Sequence, residues 1–257
     1  MHRKLRMTAA MLLAVPGYII AALQILPGVP IPVAELARFV PYYWLLPLAA
    51  LAILLLWRLP LWLTAVVLLN PVLVLTFHMG LRWNPEAASS ESGQALRVLT
   101  FNTKSYKVKY VPGGMTALAD EIRAHDADVV ALQDADGFIP RGTGMAPRRM
   151  APMLGYPEVV ALGQYVIASR HPIQECSAGD LSRSERSRNF LRCVLLVRGT
   201  PLTVVTAHFV SPRYSLLAVK GDPMEGTSDW STNLDERLLQ AATLAQALGS
   251  LPRPLVV

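Results

Sequence analysis

Three stretches in the first third of the chain carry no charged side chain: residues 8–27, 39–57 and 59–81. About 20 consecutive apolar residues are enough for a helix to cross the hydrocarbon core of a bilayer, whereas a surface helix of a soluble domain carries a polar face. Aromatic residues stand near the predicted ends, as they do at membrane interfaces: Tyr42, Tyr43, Trp44, Trp57 and Trp62. The sequence therefore predicts a membrane region over residues 1–81 with three transmembrane helices.

Two other interpretations of these stretches stay open. The basic start at His2, Arg3, Lys4 and Arg6 also suits a signal peptide. Against it, two more hydrophobic segments follow at once, and no clear small-residue cleavage site precedes them. Buried helices of a soluble core are the other alternative, and such helices would need polar faces that these stretches lack.

The basic residues also predict an orientation. Arg3, Lys4 and Arg6 favour a cytoplasmic N-terminus. Three crossings then place the chain from residue 82 onward outside, which in a bacterium means a multi-pass protein of the inner (cytoplasmic) membrane with its soluble domain on the periplasmic or external side. Residues 1–81 hold five basic residues and one acid, so most of the net charge of +6 reflects topology and is poor evidence for nucleic-acid binding.

The remainder of the chain has the pattern of an α/β domain. Residues 82–95 are small, polar and turn-rich, which predicts a linker to a domain over 96–257. Alternating and helical periodicities predict strands at 96–102, 128–134, 156–162, 164–169, 189–199, 200–209 and 253–257, and helices at 113–127 and 233–251. A hairpin turning at Gly199 argues for mixed sheets. Residues 211–232 show no clear periodicity and are interpreted as a loop on the substrate side or a plain connection.

Three of the predicted strands are apolar runs closed by polar residues. Asn102 ends the first, Gln133 and Asp134 end the second, and His208 follows a later one. Strand ends are where α/β proteins build their sites, and a carboxylate beside an amide suits Mg²⁺. Each residue also has a structural explanation: Asn102 as a turn former, Asp134 as a cap, His208 as a satisfied strand-end histidine.

The chain has two cysteines, Cys176 and Cys193, each on or beside a predicted strand. In an oxidising compartment they are able to form one disulfide if the strands are neighbours. Two separate buried thiols are the alternative, and the sequence leaves the choice open.

Five blocks resemble the endonuclease/exonuclease/phosphatase superfamily: "RVLTFNTKS", "ADVVALQDAD", "VIASRHPI", "RCVLLVRGTPLTVVTAHF" and "DERLLQAATLAQAL" followed by "RPLVV". The resemblance runs from about residue 96 to 257. It implies a four-layer α/β sandwich with mixed sheets and a phosphodiesterase or phosphatase that depends on Mg²⁺ (or Mn²⁺).

The same resemblance implies roles for individual residues. Asn102 matches the family asparagine that helps hold metal and phosphate, and His208 matches a histidine that contacts the phosphate. Asp134 falls where the family has its metal-binding glutamate, one methylene longer. Arg192 falls where the family often has an arginine, here an expected anion contact. The expected catalytic residues are thus Asn102, Arg192 and His208, and the expected metal ligands are Asp134 and Asn102.

The family's later motifs, beginning with a "GDFN"-like block after "RPLVV", do not occur in this sequence. We expect a fragment of a longer product in preference to a truncated, inactive relative. The functional hypothesis is a membrane-anchored, outward-facing, metal-dependent hydrolase of phosphoester bonds in nucleic acid, a phospholipid headgroup or a small phosphate ester. The alternative is an inactive, membrane-tethered binding domain with the same fold.

Overall fold

The computed structural model describes residues 2–55, 60–81, 95–108, 110–139, 146–181, 189–251 and 254–257. The chain divides into two compact units, residues 1–92 and residues 93–257. Most of the predicted linker at 82–95 lies outside the described residues, as does Trp57.

The N-terminal unit is helical. Its elements are α1 (His2–Ile25), α2 (Ile31–Ala37), a 3₁₀ turn (Tyr42–Trp44), α3 (Leu45–Leu54) and α4 (Leu61–Leu73), which continues as a π-helical turn over Val74–His78. Within the described residues, two segments are long and apolar enough to cross a membrane, Arg3–Ile25 and Leu61–His78.

The second predicted span is not one straight helix. Ile31–Ala37 and Tyr42–Leu54 are bent by 61° relative to one another, and they make a third span only if the bent pair counts as one. The break precedes Pro41, which cannot donate a helical hydrogen bond and disfavours helical backbone in the residue before it. The structure therefore has two candidate spans, or three with the broken one.

Helices α1 and α4 are joined by small residues and by polar side chains. Ala10 and Ala14 of α1 are buried in one cluster with Leu63 and Val67 of α4 and Ala52 of α3, as expected where helix backbones approach closely. Three side chains of α4 or α1 bond the backbone of the other helix: Asn70 Nδ2 donates to Ala14 O over 2.8 Å, Tyr18 Oη to Val66 O over 2.7 Å, and His78 Nε2 lies 3.0 Å from Gly17 O. These bonds fix the register of the two helices.

The C-terminal unit contains two sheets. Sheet 1 has the order β1-β2-β5-β4-β3, and sheet 2 has the order β6-β7-β8-β9. The strands are β1 (Val98–Asn102), β2 (Val129–Gln133), β3 (Arg148–Arg149), β4 (Glu158–Leu162), β5 (Tyr165–Ser169), β6 (Ile173–Asp180), β7 (Asn189–Val197), β8 (Thr200–Ala207) and β9 (Leu255–Val256). The β1/β2 and β8/β9 pairs are parallel and the others antiparallel, which confirms the mixed sheets of the predicted α/β domain.

The helices of this unit are α5 (Ser105–Val108), α6 (Gly114–Ala124), α7 (Arg213–Gly221) and α8 (Pro223–Gly249), with a 3₁₀ turn at Asp136–Phe138. Alternate residues of the strands divide between two faces. The facing sides of the two sheets form one core that includes Val129, Ile167, Leu191, Cys193 and Val204. The outer side of sheet 1 packs on α6, and the outer side of sheet 2 packs on α8, so the unit has four layers.

Two local features follow from the sequence directly. The β7–β8 hairpin turns at Arg198 and Gly199, both with positive φ (51° and 86°), the backbone of a two-residue turn whose twist matches its strands. Cys176 and Cys193 stand opposite one another in β6 and β7, and the structure joins them in a disulfide.

The segment 211–232 is helical, contrary to the expected loop. It forms α7 and the first turns of α8, which begins at Pro223, where a proline fits the first turn of a helix. Trp230 of this segment is only 2% exposed, so its burial stabilises a helix that the local sequence pattern does not predict.

Candidate functional site

The polar residues that close three strands lie together. Strands β1 and β2 are parallel, so Asn102 and Gln133 are neighbours at the same edge of sheet 1. His208 follows β8 of the opposite sheet, and its Nε2 lies 3.4 Å from Asn102 Nδ2. Its Nδ1 lies 3.3 Å from Asp134 Oδ1. Asn102, Asp134 and His208 therefore form one cluster between the carboxyl ends of strands from both sheets.

The backbone at Asp134 leaves the strand abruptly. Its φ is +49°, in the left-handed region that aspartate and asparagine tolerate better than most residues. The carbonyl oxygen of Asp134 accepts hydrogen bonds from Thr103 Oγ1 at 2.8 Å and from Ser105 N at 2.9 Å. Lys104, in the facing loop, also has a positive φ of 44°. Two left-handed residues held by hydrogen bonds beside one polar cluster are typical of functional sites.

His208 is held at its backbone and at its ring. Its N–H donates to Tyr165 Oη over 3.0 Å, and Tyr165, which is fully buried, donates to Asn189 O over 2.8 Å. Its Nδ1 lies 3.0 Å from Gln164 Oε1. Both side chains come from the start of β5, so the ring of His208 is fixed by the opposite sheet.

The hydrogen bonds are consistent with a single tautomer of neutral His208. Asn102 Oδ1 accepts from Lys104 N over 3.2 Å, which turns the Asn102 NH₂ group toward His208 Nε2. Nε2 then has to be the acceptor, and the ring proton is on Nδ1, facing the oxygens of Gln164 and Asp134. The imidazole ring of His208 is therefore oriented with the lone pair of Nε2 toward Asn102.

Gln133 supports the cluster from beneath. Its Nε2 donates to Thr206 Oγ1 of sheet 2 over 2.7 Å and to Thr100 Oγ1 of sheet 1 over 3.2 Å. A cleft of about 380 Å³ opens between the sheets beside this contact, lined by His208, Phe209 and mainly by apolar side chains: Val98, Ala131, Val204, Val205, Leu244, Val256 and Val257. The polar cluster thus sits at the rim of an apolar cleft.

One carboxyl group near the cluster has a shifted pKa. Partial desolvation raises the pKa of Asp136 above its ordinary value, a backbone hydrogen bond opposes the shift, and the charge of Asp134 raises the pKa further. The two carboxylates are therefore close enough to repel one another.

Arg192 is not brought to the cluster, and the anion contact expected of it stays a prediction. Its neighbours Leu191 and Cys193 lie in the core between the sheets, so Arg192 points to the opposite face of sheet 2. Arg192 pairs with Val205, which lies in the middle of β8 and not at the end that leads to His208. Its Nη2 donates to Glu175 Oε1 over 3.1 Å.

The cluster offers a metal ion few charged ligands. Among the described residues no group of three histidine, cysteine, aspartate or glutamate side chains is arranged to hold a metal. The donors present are the carboxylate of Asp134 and the amide oxygens of Asn102 and Gln164. This set fits Mg²⁺, which commonly keeps several waters and uses one or two carboxylates together with substrate phosphates.

Sequence reasoning missed Gln164, Tyr165 and the bridging role of Gln133. Gln164 and Tyr165 follow Gly163, whose φ of +54° makes the tight β4–β5 turn. A glycine turn that presents a polar residue at the start of a buried strand is the signal that was available, but its direction toward His208 depends on how the two sheets stack.

Comparisons with known proteins give remote structural matches. No protein-family model matches the chain, and no curated protein matches it. A humanized D. rerio TDP2 with 14 mutations matches at 13% identity over 62% of this chain and 58% of that chain, with a TM-score of 0.39. An endonuclease/exonuclease/phosphatase family protein from Leptotrichia buccalis C-1013-b matches at 15% identity over 46% and 56%, with a TM-score of 0.32.

Sphingomyelinase C from Streptomyces griseocarneus matches at 24% identity over 46% of this chain and 50% of that chain, with a TM-score of 0.30. Each match spans less than two thirds of the solved chain. At identities below 25% and TM-scores below 0.5, the chemistry of this chain has to be inferred from its own side chains.

Proposed function

We propose that the chain is a metal-dependent phosphoester hydrolase attached to a membrane by its N-terminal helices. The observation that carries the proposal is the meeting of Asn102, Asp134 and His208 at one point, from strands of two different sheets. An imidazole with an amide beside one ring nitrogen and a carboxylate beside the other is suited to bind a phosphoryl group and to accept a proton next to it.

Asp134 and Asn102 would hold a Mg²⁺ (or Mn²⁺) ion, which when bound neutralises charge on the phosphoryl oxygens. Asn102 Nδ2 carries a second N–H beside the one directed at His208 Nε2, and this second N–H would donate to a phosphoryl oxygen. A water molecule would attack phosphorus, and His208 would accept its proton at Nε2, because Nδ1 already carries one. The new P–O bond would replace the bond to the ester oxygen, which would leave as an alcohol after the imidazolium returns the proton. Asp134 and Gln164, which face Nδ1, would stabilise the resulting imidazolium and keep the ring oriented.

The location proposed for this activity is the outer face of a bacterial inner membrane. The number of crossings decides it, because two spans return the C-terminal unit to the side of the N-terminus and three place it on the opposite side. The Cys176–Cys193 disulfide supports an oxidising compartment and hence the broken pair as a third span. Protease protection of residues 95–257 in sealed vesicles tests this placement.

A non-catalytic domain that binds phosphate-bearing ligands is the second candidate function. The observation that favours it is that Asp134 is the carboxylate seen beside His208 in the part of the chain that the structure describes, next to the amides of Asn102 and Gln164. In that case Mg²⁺ and a phosphate ester would bind without turnover.

Hydrolysis of bis(p-nitrophenyl) phosphate by the full chain in detergent, with and without Mg²⁺, tests the two functions. A hydrolase is expected to lose about 100-fold or more in rate on His208→Ala or Asp134→Ala, the range for loss of an acid–base or metal group. The matched controls are Asp120→Ala on α6 and His125→Ala directly after α6, which remove the same groups from exposed positions. Equal rates in all four variants would contradict the site, whereas Mg²⁺ binding without turnover supports the second function.

A further inference from the structure

An exposed aromatic and basic surface adjoins the site. Directly after Asn102, the side chains of Lys104, Tyr106, Lys107, Tyr110 and Val111 are exposed, and we name these five residues the 104–111 surface. Tyr106 is 52% exposed, Tyr110 79% and Val111 57%. Exposed apolar side chains that form a patch with polar residues around it mark protein or membrane interaction sites.

This surface is anchored to the site by Ser105. The backbone N–H of Ser105 donates to Asp134 O over 2.9 Å, and its hydroxyl accepts from Gly137 N over 2.9 Å. Ser105 is 3% exposed, so the segment turns this side chain inward and its neighbours outward. Whatever binds the 104–111 surface is therefore held within a few residues of Asn102 and Asp134.

The charge of the segment has one sign. From residue 102 to residue 119 the sequence contains no aspartate or glutamate. Lys107 Nζ lies 5.9 Å from the centre of the Tyr106 ring and covers one of its faces. Tyrosines with an aliphatic side chain and flanking lysines suit the headgroup level of a bilayer, where tyrosine is enriched and lysine is drawn to anionic lipids.

We propose that the 104–111 surface docks on a lipid bilayer that contains anionic headgroups. The same chain carries two helices long and apolar enough to cross a membrane. Twenty positions separate His78, at the end of the second, from Val98 of β1, which limits the reach of the connection to at most about 70 Å. A tether of this length keeps the domain beside a bilayer at high effective concentration, so weak contacts are enough.

A single-stranded nucleic acid is the other partner class with this chemistry. It fits less well, because bases stack on open aromatic faces and Lys107 covers one face of Tyr106. Val111 also adds aliphatic surface that stacking does not use. The proposal is independent of hydrolysis, since docking requires no turnover.

The test uses the full chain in nanodiscs of phosphatidylcholine, with and without 30% phosphatidylglycerol. An environment-sensitive dye on Pro112→Cys, next to Val111, reports insertion through quenching by brominated lipid, since the two native cysteines are joined in a disulfide. The same dye on Met153→Cys, at another exposed apolar position, is the control. Quenching at 112 but not at 153, only with the anionic lipid, is the expected result.

Neutralising Lys104 and Lys107 distinguishes docking of the 104–111 surface on the bilayer from the nearness to the bilayer that the tether alone produces. Lys104→Asn is chosen because asparagine tolerates the positive φ at this position. Loss of each lysine should lower the ratio of docked to free domain about fivefold, so Lys104→Asn combined with Lys107→Gln should lower it about 25-fold. Arg148→Gln with Arg198→Asn removes the same charge elsewhere and should leave quenching unchanged. The proposal would be overturned if quenching at position 112 were the same with and without phosphatidylglycerol and with and without the two lysines. It would also be overturned if the dye responded to a single-stranded oligonucleotide and not to lipid.

Discussion

Asp134 Oδ1 and His208 Nδ1 lie 3.3 Å apart although the two residues follow strands of different sheets. The contact ties the left-handed turn after β2 to the end of β8, and it gives the imidazole a carboxylate partner on the nitrogen that carries its proton. The chemistry proposed for the site and the packing of the two sheets are therefore linked through this pair.

Substitution of Asp134 should separate its backbone role from its charge. Asn tolerates a φ of +49°, whereas Ala does not, so Asp134→Ala should lower the free energy of unfolding by about 1 kcal/mol relative to Asp134→Asn. Both variants should lose Mg²⁺-dependent hydrolysis to the same degree. Thermal unfolding and rates, measured on the same samples, check the two expectations, and an Asp134→Asn variant with full activity would remove Asp134 from the site.

The tautomer of His208 is measurable without any activity. In ¹⁵N-histidine-labelled protein, the neutral ring of His208 should show its proton on Nδ1, since Gln164 and Asp134 present acceptor oxygens there. Gln164→Leu should reduce that preference, and Gln164→Glu should retain the Nδ1 proton. The His208→Gln variant assigns the signal, and an Nε2 proton in the unaltered chain would contradict the proposed hydrogen bonds.

Gly17 should favour the close contact between α1 and α4. A Cβ at this position would lie 2.5 Å from Asn70 Oδ1, closer than real contacts allow. Gly17→Ala should therefore destabilise the N-terminal unit by about 1–3 kcal/mol, the usual range for overpacking. Thermal unfolding in detergent measures the change. Gly221→Ala, which has open space around its Cβ, serves as the control and should unfold as the parent does.

Asp126 should make stability depend on pH in the acid range. The hydrogen bond from Arg170, with the charges of Arg170 and Arg97, lowers the pKa of Asp126 below its ordinary 3.8. A carboxyl group with a lowered folded pKa stabilises the fold above its unfolded pKa, and that stability is lost as the pH falls through the folded pKa.

At pH 7 the melting temperature of Asp126→Asn should accordingly lie below that of the parent. The difference between the two melting temperatures should stay constant down to about pH 5 and disappear below the ordinary pKa of 3.8. Asn suits the φ of +49° at this position, so the comparison isolates the charge. A difference that persists unchanged at the lowest pH would show that packing, and not ionisation, causes it.

The residues that the sequence places correctly are those at the ends of apolar runs. Asn102, Asp134 and His208 each close a strand, and a strand end can be read locally because the hydrophobic pattern stops there. The position of Arg192 could not be predicted in this way. It lies inside β7, and which face of the sheet it occupies depends on strand register and on the stacking of sheets.

The helix over 211–232 could not be predicted because its stabilisation is not local. Gly226 and the polar residues around it weaken the helical pattern, but a Cβ at Gly226 would lie 2.3 Å from Val219 N, so the glycine permits close approach of α7 and α8. Gln240, fully buried on α8, accepts from Val210 N over 2.9 Å and fixes the loop after His208. Tertiary contacts of this kind leave no periodic signature.

The hydrogen bonds of Gln133 to Thr206 and Thr100 span the two sheets at the base of the cleft. A ligand that occupies the cleft or the polar cluster contacts residues of both sheets at once. It therefore binds only while the two sheets keep their native spacing. By mass action, a ligand at 100 times its dissociation constant would raise the free energy of unfolding by about 2.7 kcal/mol. The melting temperature of the C-terminal unit is therefore itself an assay, able to rank phosphate esters, metal ions and headgroups before any turnover has been found.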